Sequence, residues 1–152
     1  MKLKGLFIAL AFILSATAIQ AQSSLFNKLG NNKSINSIYI SKTMLGMASN
    51  MSMGAANIKV IANKLEQLEI YTSETKDAAN MMKKEMGALS KNKMYDLLMN
   101  MRDGESNTSF YALKVKDNFK ELIMITDESE SCVIIRMVGD FTMEDIQKVT
   151  GK

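Results

Sequence analysis

The chain of 152 residues has no histidine, no tryptophan and no proline, and a single cysteine, Cys132. Without histidine, neither Ser-His-Asp nor Cys-His machinery can be assembled, and an ordinary zinc site has lost its commonest ligand. One cysteine cannot close an internal disulfide, so stability has to come from packing. A glycine-rich phosphate loop is also missing, because Gly46 and Gly54 lack the flanking lysine and serine pattern. No basic cluster of the kind that neutralises a phosphate backbone is present, so nucleic acid is not an expected partner. Neither an internal repeat nor a low-complexity block interrupts the chain.

The first residues, MKLKGLFIALAFILSATAIQAQSS, place Lys2 and Lys4 before an uncharged apolar stretch from Leu6 to Leu14, followed by small and polar residues. That three-part layout predicts a signal peptide over residues 1–21, cleaved after Ala21 or alternatively after Ala18. The apolar run is well short of the roughly 20 residues that span a bilayer, so no transmembrane span is expected in the mature chain. No cysteine lies near either cleavage point, which leaves no attachment site for a lipid anchor. The expectation is an exported protein, periplasmic or extracellular. Loss of Lys2 and Lys4 turns 19 basic residues into 17 against 16 acids, a net charge of +1. The whole-chain pI of about 8.9 therefore overstates how basic the mature protein is.

Residues 22–33 are polar, with Gly30, Asn31 and Asn32 together, and read as a flexible leader into a single domain over residues 34–152. SINSIYISK alternates with the period of a half-buried strand. In TMLGMASNM, the spacings of Met44, Met47, Ala48 and Met51 suit a short helix. NIKVIANKL offers Ile58, Ile61, Ala62 and Leu65 on one helical face behind a candidate N-cap, Asn57. Alternation in LEQLEIYTS predicts a second strand. SETKDAANMMKKEMGALSK is the clearest helix, with Glu74 and Asp77 at its start, Lys91 at its end and Ala78, Met82, Met86 and Leu89 as its buried stripe.

From Met94 onward, strand and turn repeat: MYDLLMNMR, with Tyr95, Leu97, Met99 and Met101 on one face, then SFYALKVK, FKELIMIT and SCVIIRMVG. FTMEDIQKV closes the chain as a helix, with Thr142 and Asp145 in capping positions. Sequential strands joined by short turns should be antiparallel neighbours. The predicted fold is therefore an α+β two-layer domain, β-α-α-β-α-β-β-β-β-α, a largely antiparallel sheet with helices packed on one face.

In SCVIIRMVG the set Val133, Ile135 and Met137 is wholly apolar and is expected to face the helices. Cys132, Ile134, Arg136 and Val138 are expected on the outer side, with Arg136 laying its stem on the sheet. Cys132 reads as strand filler rather than a nucleophile. No activating base is recognisable, and the acids before it, Glu128 and Glu130, disfavour a thiolate.

An exported leader, INSIYISKTML, then EIYTSE after a helix, and a meander ending in IIRMVGDFTMEDIQKV together resemble the family of small envelope proteins catalogued as domain of unknown function 4252, found mostly in Bacteroidetes-type bacteria. The resemblance covers nearly the whole mature chain, including a glycine after the last strand, Gly139, and an acidic position in the closing helix. It implies a fold and an envelope location, and it brings no catalytic or ligand residues with it.

The 14 methionines admit two readings. Met44, Met47, Met51 and Met53 have spacings that thioether ligation of Cu(I) would use in an exported protein, which gives a methionine-based copper(I)-binding periplasmic protein as the alternative function. Methionine spread through predicted core faces, as at Met82, Met99 and Met137, favours gap-filling, and no cofactor or metal is expected. Adjacent acids such as Glu144 and Asp145 read as capping groups rather than a hydrolase pair. The expected function is that of a non-catalytic envelope protein, a binding or accessory module. Its surface would be an outer sheet face carrying Tyr39, Tyr71, Arg102, Phe110, Lys114 and Arg136, with Glu69, Leu98 and Ile134 beside them. The partner could be an envelope protein, an envelope polymer or a second copy of the chain.

Overall fold

Period-2 alternation becomes sheet wherever it was read. The computed structural model describes residues 25–47 and 61–150. Their elements run α1 (residues 25–30), β1 (Ile35–Ser41), α2 (Lys42–Met47), β2 (Leu65–Ser73), α3 (Lys76–Met86), β3 (Tyr95–Asp103), β4 (Ser106–Val115), β5 (Asn118–Asp127), β6 (Cys132–Phe141) and α4 (Met143–Thr150). The six strands form one open antiparallel sheet in the order β1-β2-β6-β5-β4-β3. The fold is α+β, as the periodicity predicts. The four C-terminal strands make the expected meander, and β6 then pairs with β2. Helix α3 carries the chain from β2 to the far edge at β3.

The α3 sequence behaves as its composition demands. Thr75 caps it, its Oγ1 accepting from the Ala78 N–H at 3.2 Å. Ala78, Ala79, Met82 and Met86 are buried, and Leu89 follows them in a 3₁₀ turn, Leu89–Lys91. The capping signature of α4 also forms. The Thr142 N–H and hydroxyl each donate to Asp145 Oδ2 at 2.8 Å, and the Asp145 N–H returns to Thr142 Oγ1 at 3.3 Å.

Lys64, from the 3₁₀ turn Ala62–Lys64, donates to the same Asp145 Oδ2 at 2.6 Å. That bond, together with those from Thr142 and against the opposing effect of burial, holds the Asp145 pKa down to about 2. An unfolded aspartate titrates near ~3.9. The stability linked to this group is therefore present above that value and lost as the pH falls toward 2. With Lys64 partly exposed, the contribution is about 1 kcal/mol. Asp145→Asn is expected to lose that amount at neutral pH and to flatten the acid limb of a urea-denaturation series.

The layering departs from the predicted arrangement. Helices cover both faces of the sheet, so two cores exist instead of one. On the first face, α1 and α3 pack Phe26, Leu29, Ala79 and Met82 against Tyr71, Ile123, Ile125, Cys132 and Ile134. On the second, Leu45 of α2, Ile146 of α4 and Ile61 pack against Leu65, Leu68, Leu122, Met137, Phe119 and Phe141. The residues read as a flexible leader include α1, whose Phe26 and Leu29 are buried. Their spacing of three put them on one helical stripe that the surrounding polar residues masked.

Helix α2 matches the N-terminal part of the predicted short helix, whose Ala48 and Met51 lie outside the described residues, but it buries Leu45 and leaves Met44 and Met47 exposed. Most of the next predicted helix, including Asn57, lies outside the described residues. Its end is the 3₁₀ turn, and Leu65 already begins β2. In β3, a register shift between Leu97 and Met99 divides the predicted apolar face. Tyr95 and Leu97 stand on the α3 side, and Met99 and Met101 on the other. On that second face a row of Ile38, Ile70, Ile135, Met124, Phe110 and Met99 crosses all six strands without a charge.

Candidate functional site

Pairing registers bring three charged residues, distant in sequence, onto the α3 face. Arg136 of β6 lies opposite Glu69 of β2 and Ile123 of β5, and Glu121 is one alternation further along β5. Arg136 Nε donates to Glu121 Oε1 at 2.8 Å, and Nη1 reaches both Glu69 oxygens at 3.2 Å. Tyr71 donates its hydroxyl to Glu69 Oε2 at 2.8 Å, Gln67 Nε2 to Glu69 Oε1 at 2.8 Å, and Tyr95 its hydroxyl to Glu121 Oε2 at 3.2 Å. The Phe26 ring lies over the guanidinium at 4.3 Å and tilts against Tyr71 with ring centroids 5.8 Å apart.

Each of these charged and phenolic side chains is paired with another of them. Burial opposes the Arg136 charge, but the hydrogen bonds and charges of Glu121 and Glu69 outweigh it, and the pKa rises above the ordinary arginine value. Burial is also the first cause of the raised Tyr71 pKa, reinforced by the Glu69 hydrogen bond and opposed by Arg136. Tyr95 is raised by burial and then by the Glu121 charge. Neither phenol can serve as a base near neutral pH. Among the described residues, no three His, Cys, Asp or Glu side chains gather as metal ligands.

Cys132, expected on the less buried side of β6, is fully enclosed in the α3-side core. Burial, with the Asp127 charge and against that of Lys83, pushes its pKa to about 11. Only on the order of one thiol in ten thousand is ionised at neutral pH. A thiol reagent is expected to label Cys132 at the rate of unfolding, so adding urea should speed labelling together with loss of the far-UV signal. Rapid labelling of the native protein would contradict this burial.

The six residues expected on one open outer face do not share it. Tyr39, Tyr71, Arg102 and Arg136 stand on the α3 side, whereas Phe110 and Lys114 stand on the opposite one, where Lys114 Nζ lies 5.9 Å from the Phe119 ring centre. Of the residues read as their neighbours, Glu69 and Ile134 join the α3 side and Leu98 packs with the second core. The α3 side is largely covered, with Tyr71 buried and the Arg136 side chain only 13% exposed. Arg102 is exposed at the far edge strand and joins no cluster with the others.

The β1 edge stays open. A cleft of about 300 Å³ lies between α1 and β1, walled by Phe26, Asn31, Ser37 and Tyr39 and floored by Glu69 and Tyr71. Tyr39 is 62% exposed at its rim. Sequence reasoning named Tyr39 and Tyr71 but missed Phe26, Gln67, Tyr95 and Glu121. The available signal for Glu121 was one acid within the apolar run FKELIMIT, the counterpart of the arginine in VIIRMV.

A family model described as Domain of unknown function (DUF4252) matches residues 26–149. No curated protein and no solved structure matches the chain.

Proposed function

The chain belongs to the DUF4252 family, and from that premise we propose a non-catalytic exported envelope protein that works by binding, as an interaction or accessory module. The observation that carries the reading is the mutual saturation of its chemistry-bearing groups. Arg136, Glu69, Glu121, Tyr71 and Tyr95 pair with one another, and the one thiol is buried. A catalyst needs a base or nucleophile left poised in a cleft. The exposed features are instead contact surfaces, foremost Ile38 and Tyr39 on an edge strand beside a cleft. Export rests on the layout of residues 1–21.

A photo-crosslinking residue in place of Tyr39, expressed in the native cell, tests the reading. A specific adduct recovered from the envelope fraction, and lost when the label is moved to Met143 on α4, supports it. Turnover of a substrate by the purified protein, or recovery of the chain in the cytoplasm with Met1 intact, overturns it. Copper(I) ligation by methionine is the second reading, favoured by the exposure of Met44 and Met47 on α2. Titration with Cu(I) under reducing conditions decides that point. A stoichiometric site lost in Met44→Leu with Met47→Leu would replace the binding reading.

A further inference from the structure

Resting on that binding reading, we propose that the outer edge of β1 and the cleft beside it dock an extended strand of a partner polypeptide that carries a lysine or arginine side chain. Three independent features converge there.

The sheet is open, and its two edges are built differently. The β3 edge carries Asp96, Arg102 and Asp103 and is broken by the register shift between Leu97 and Met99, the usual devices that keep an edge from pairing. The β1 edge, INSIYIS, has no charge, no proline and no bulge, and its pairing with β2 is unbroken from Ile35 to Ser41. Alternate backbone N–H and C=O groups of such a strand point outward as a template for another strand. Among the described residues, no strand occupies that side.

The cleft lies where an added strand would need a side-chain pocket. Ser37 and Tyr39 stand on the α3 face, so a strand laid against β1 turns alternate side chains toward that face. One of them comes over Glu69, between Tyr39, Tyr71 and Phe26. Backbone pairing supplies attraction, and a pocket for an alternate side chain supplies selectivity.

Charge selects the side chain. Two carboxylates, Glu69 and Glu121, share one guanidinium, and among the described residues no other lysine or arginine pairs with either. The three side chains carry one net negative charge, and Glu69, the member that lines the cleft, lies between the rings of Phe26, Tyr39 and Tyr71, an environment that favours a cation. A second copy of β1 is the poorer occupant, because INSIYIS brings no basic residue to the cleft.

The test uses the mature protein and three synthetic heptapeptides of alternating threonine and valine, with a central lysine, a central glutamate, or a central lysine and alternate N-methylated amides. The lysine peptide should shift and protect the β1 amides in NMR and hydrogen exchange, and bind about fivefold or more tightly than the glutamate peptide. N-methylation should abolish binding. Tyr39→Ala should weaken the lysine peptide severalfold, and Ser37→Lys, which sets a fixed cation at the exposed cleft wall, should remove the preference for lysine while strand addition persists. Equal affinity for the lysine and glutamate peptides, or no response at β1, overturns the proposal. So does self-association through β1 that excludes the peptides. A partner cross-linked at another face, with no peptide effect, overturns this inference and leaves the binding reading standing.

Discussion

Replacing Arg136 with methionine is expected to destabilise the fold by about 3–5 kcal/mol. The methionine fills much of the same space under Phe26, so lost packing is a small part of the cost. The larger part is electrostatic. Glu69 and Glu121, with side chains 12% and 7% exposed, would be left on either side of β6 without their shared cation. The tyrosine and glutamine donors that remain cannot supply a full charge. Replacing all three, as Glu69→Gln, Glu121→Gln and Arg136→Met, should recover most of the loss, because no buried charge then stands uncompensated. Urea denaturation of the two variants at neutral pH reads the comparison directly. A single variant as stable as the parent would mean that the guanidinium is not holding the carboxylates together.

Gly139→Ala is expected to cost about 3 kcal/mol, at the upper end for a small overpacking change. A Cβ built there falls 2.1 Å from the Lys64 carbonyl oxygen, 3.1 Å from its carbonyl carbon and 2.7 Å from the Phe141 ring. The obstruction is mainly backbone, which cannot swing aside as a side-chain tip can. Relief would require moving the turn Ala62–Lys64, and with it the Lys64–Asp145 pair that braces α4. Gly46→Ala is the matched control. It sits in α2 with nothing within 4 Å of an added Cβ, and it should stabilise by about 0.5–1 kcal/mol through helix propensity. A lower denaturation midpoint for the first variant and a higher one for the second, at unchanged slope, would confirm both.

Gly139 also illustrates how position was legible and reason was not. The sequence marks it as a glycine after the last strand, yet it lies inside β6, opposite Leu65 and next to the register shift between Leu65 and Gln67. The need for glycine comes from a turn more than seventy residues earlier in the chain crossing against it, a contact that no local pattern encodes. Phe26 is a similar case. Its polar neighbours suggested a leader, and only the α3-side core reveals that α1 supplies the ring covering Arg136.

Local periodicity was enough to determine the strands, α3, the closing helix and the antiparallel meander, because alternation and capping are properties of neighbouring residues. The missing histidine and lone cysteine likewise excluded whole chemistries before any fold was known. Which side of each strand meets which helix was decided by tertiary structure. In β6 the apolar set Val133, Ile135 and Met137 looked like the one buried face, but helices cover both faces, and Cys132 and Ile134 are as deeply enclosed as Met137. Arg136 can remain inside only because β2 and β5, which flank β6, each bring a carboxylate to it. The order of strands in a sheet is a long-range choice, settled by how the whole chain buries its apolar surface, and it placed a charge network under the β1 cleft that no stretch of sequence contains by itself.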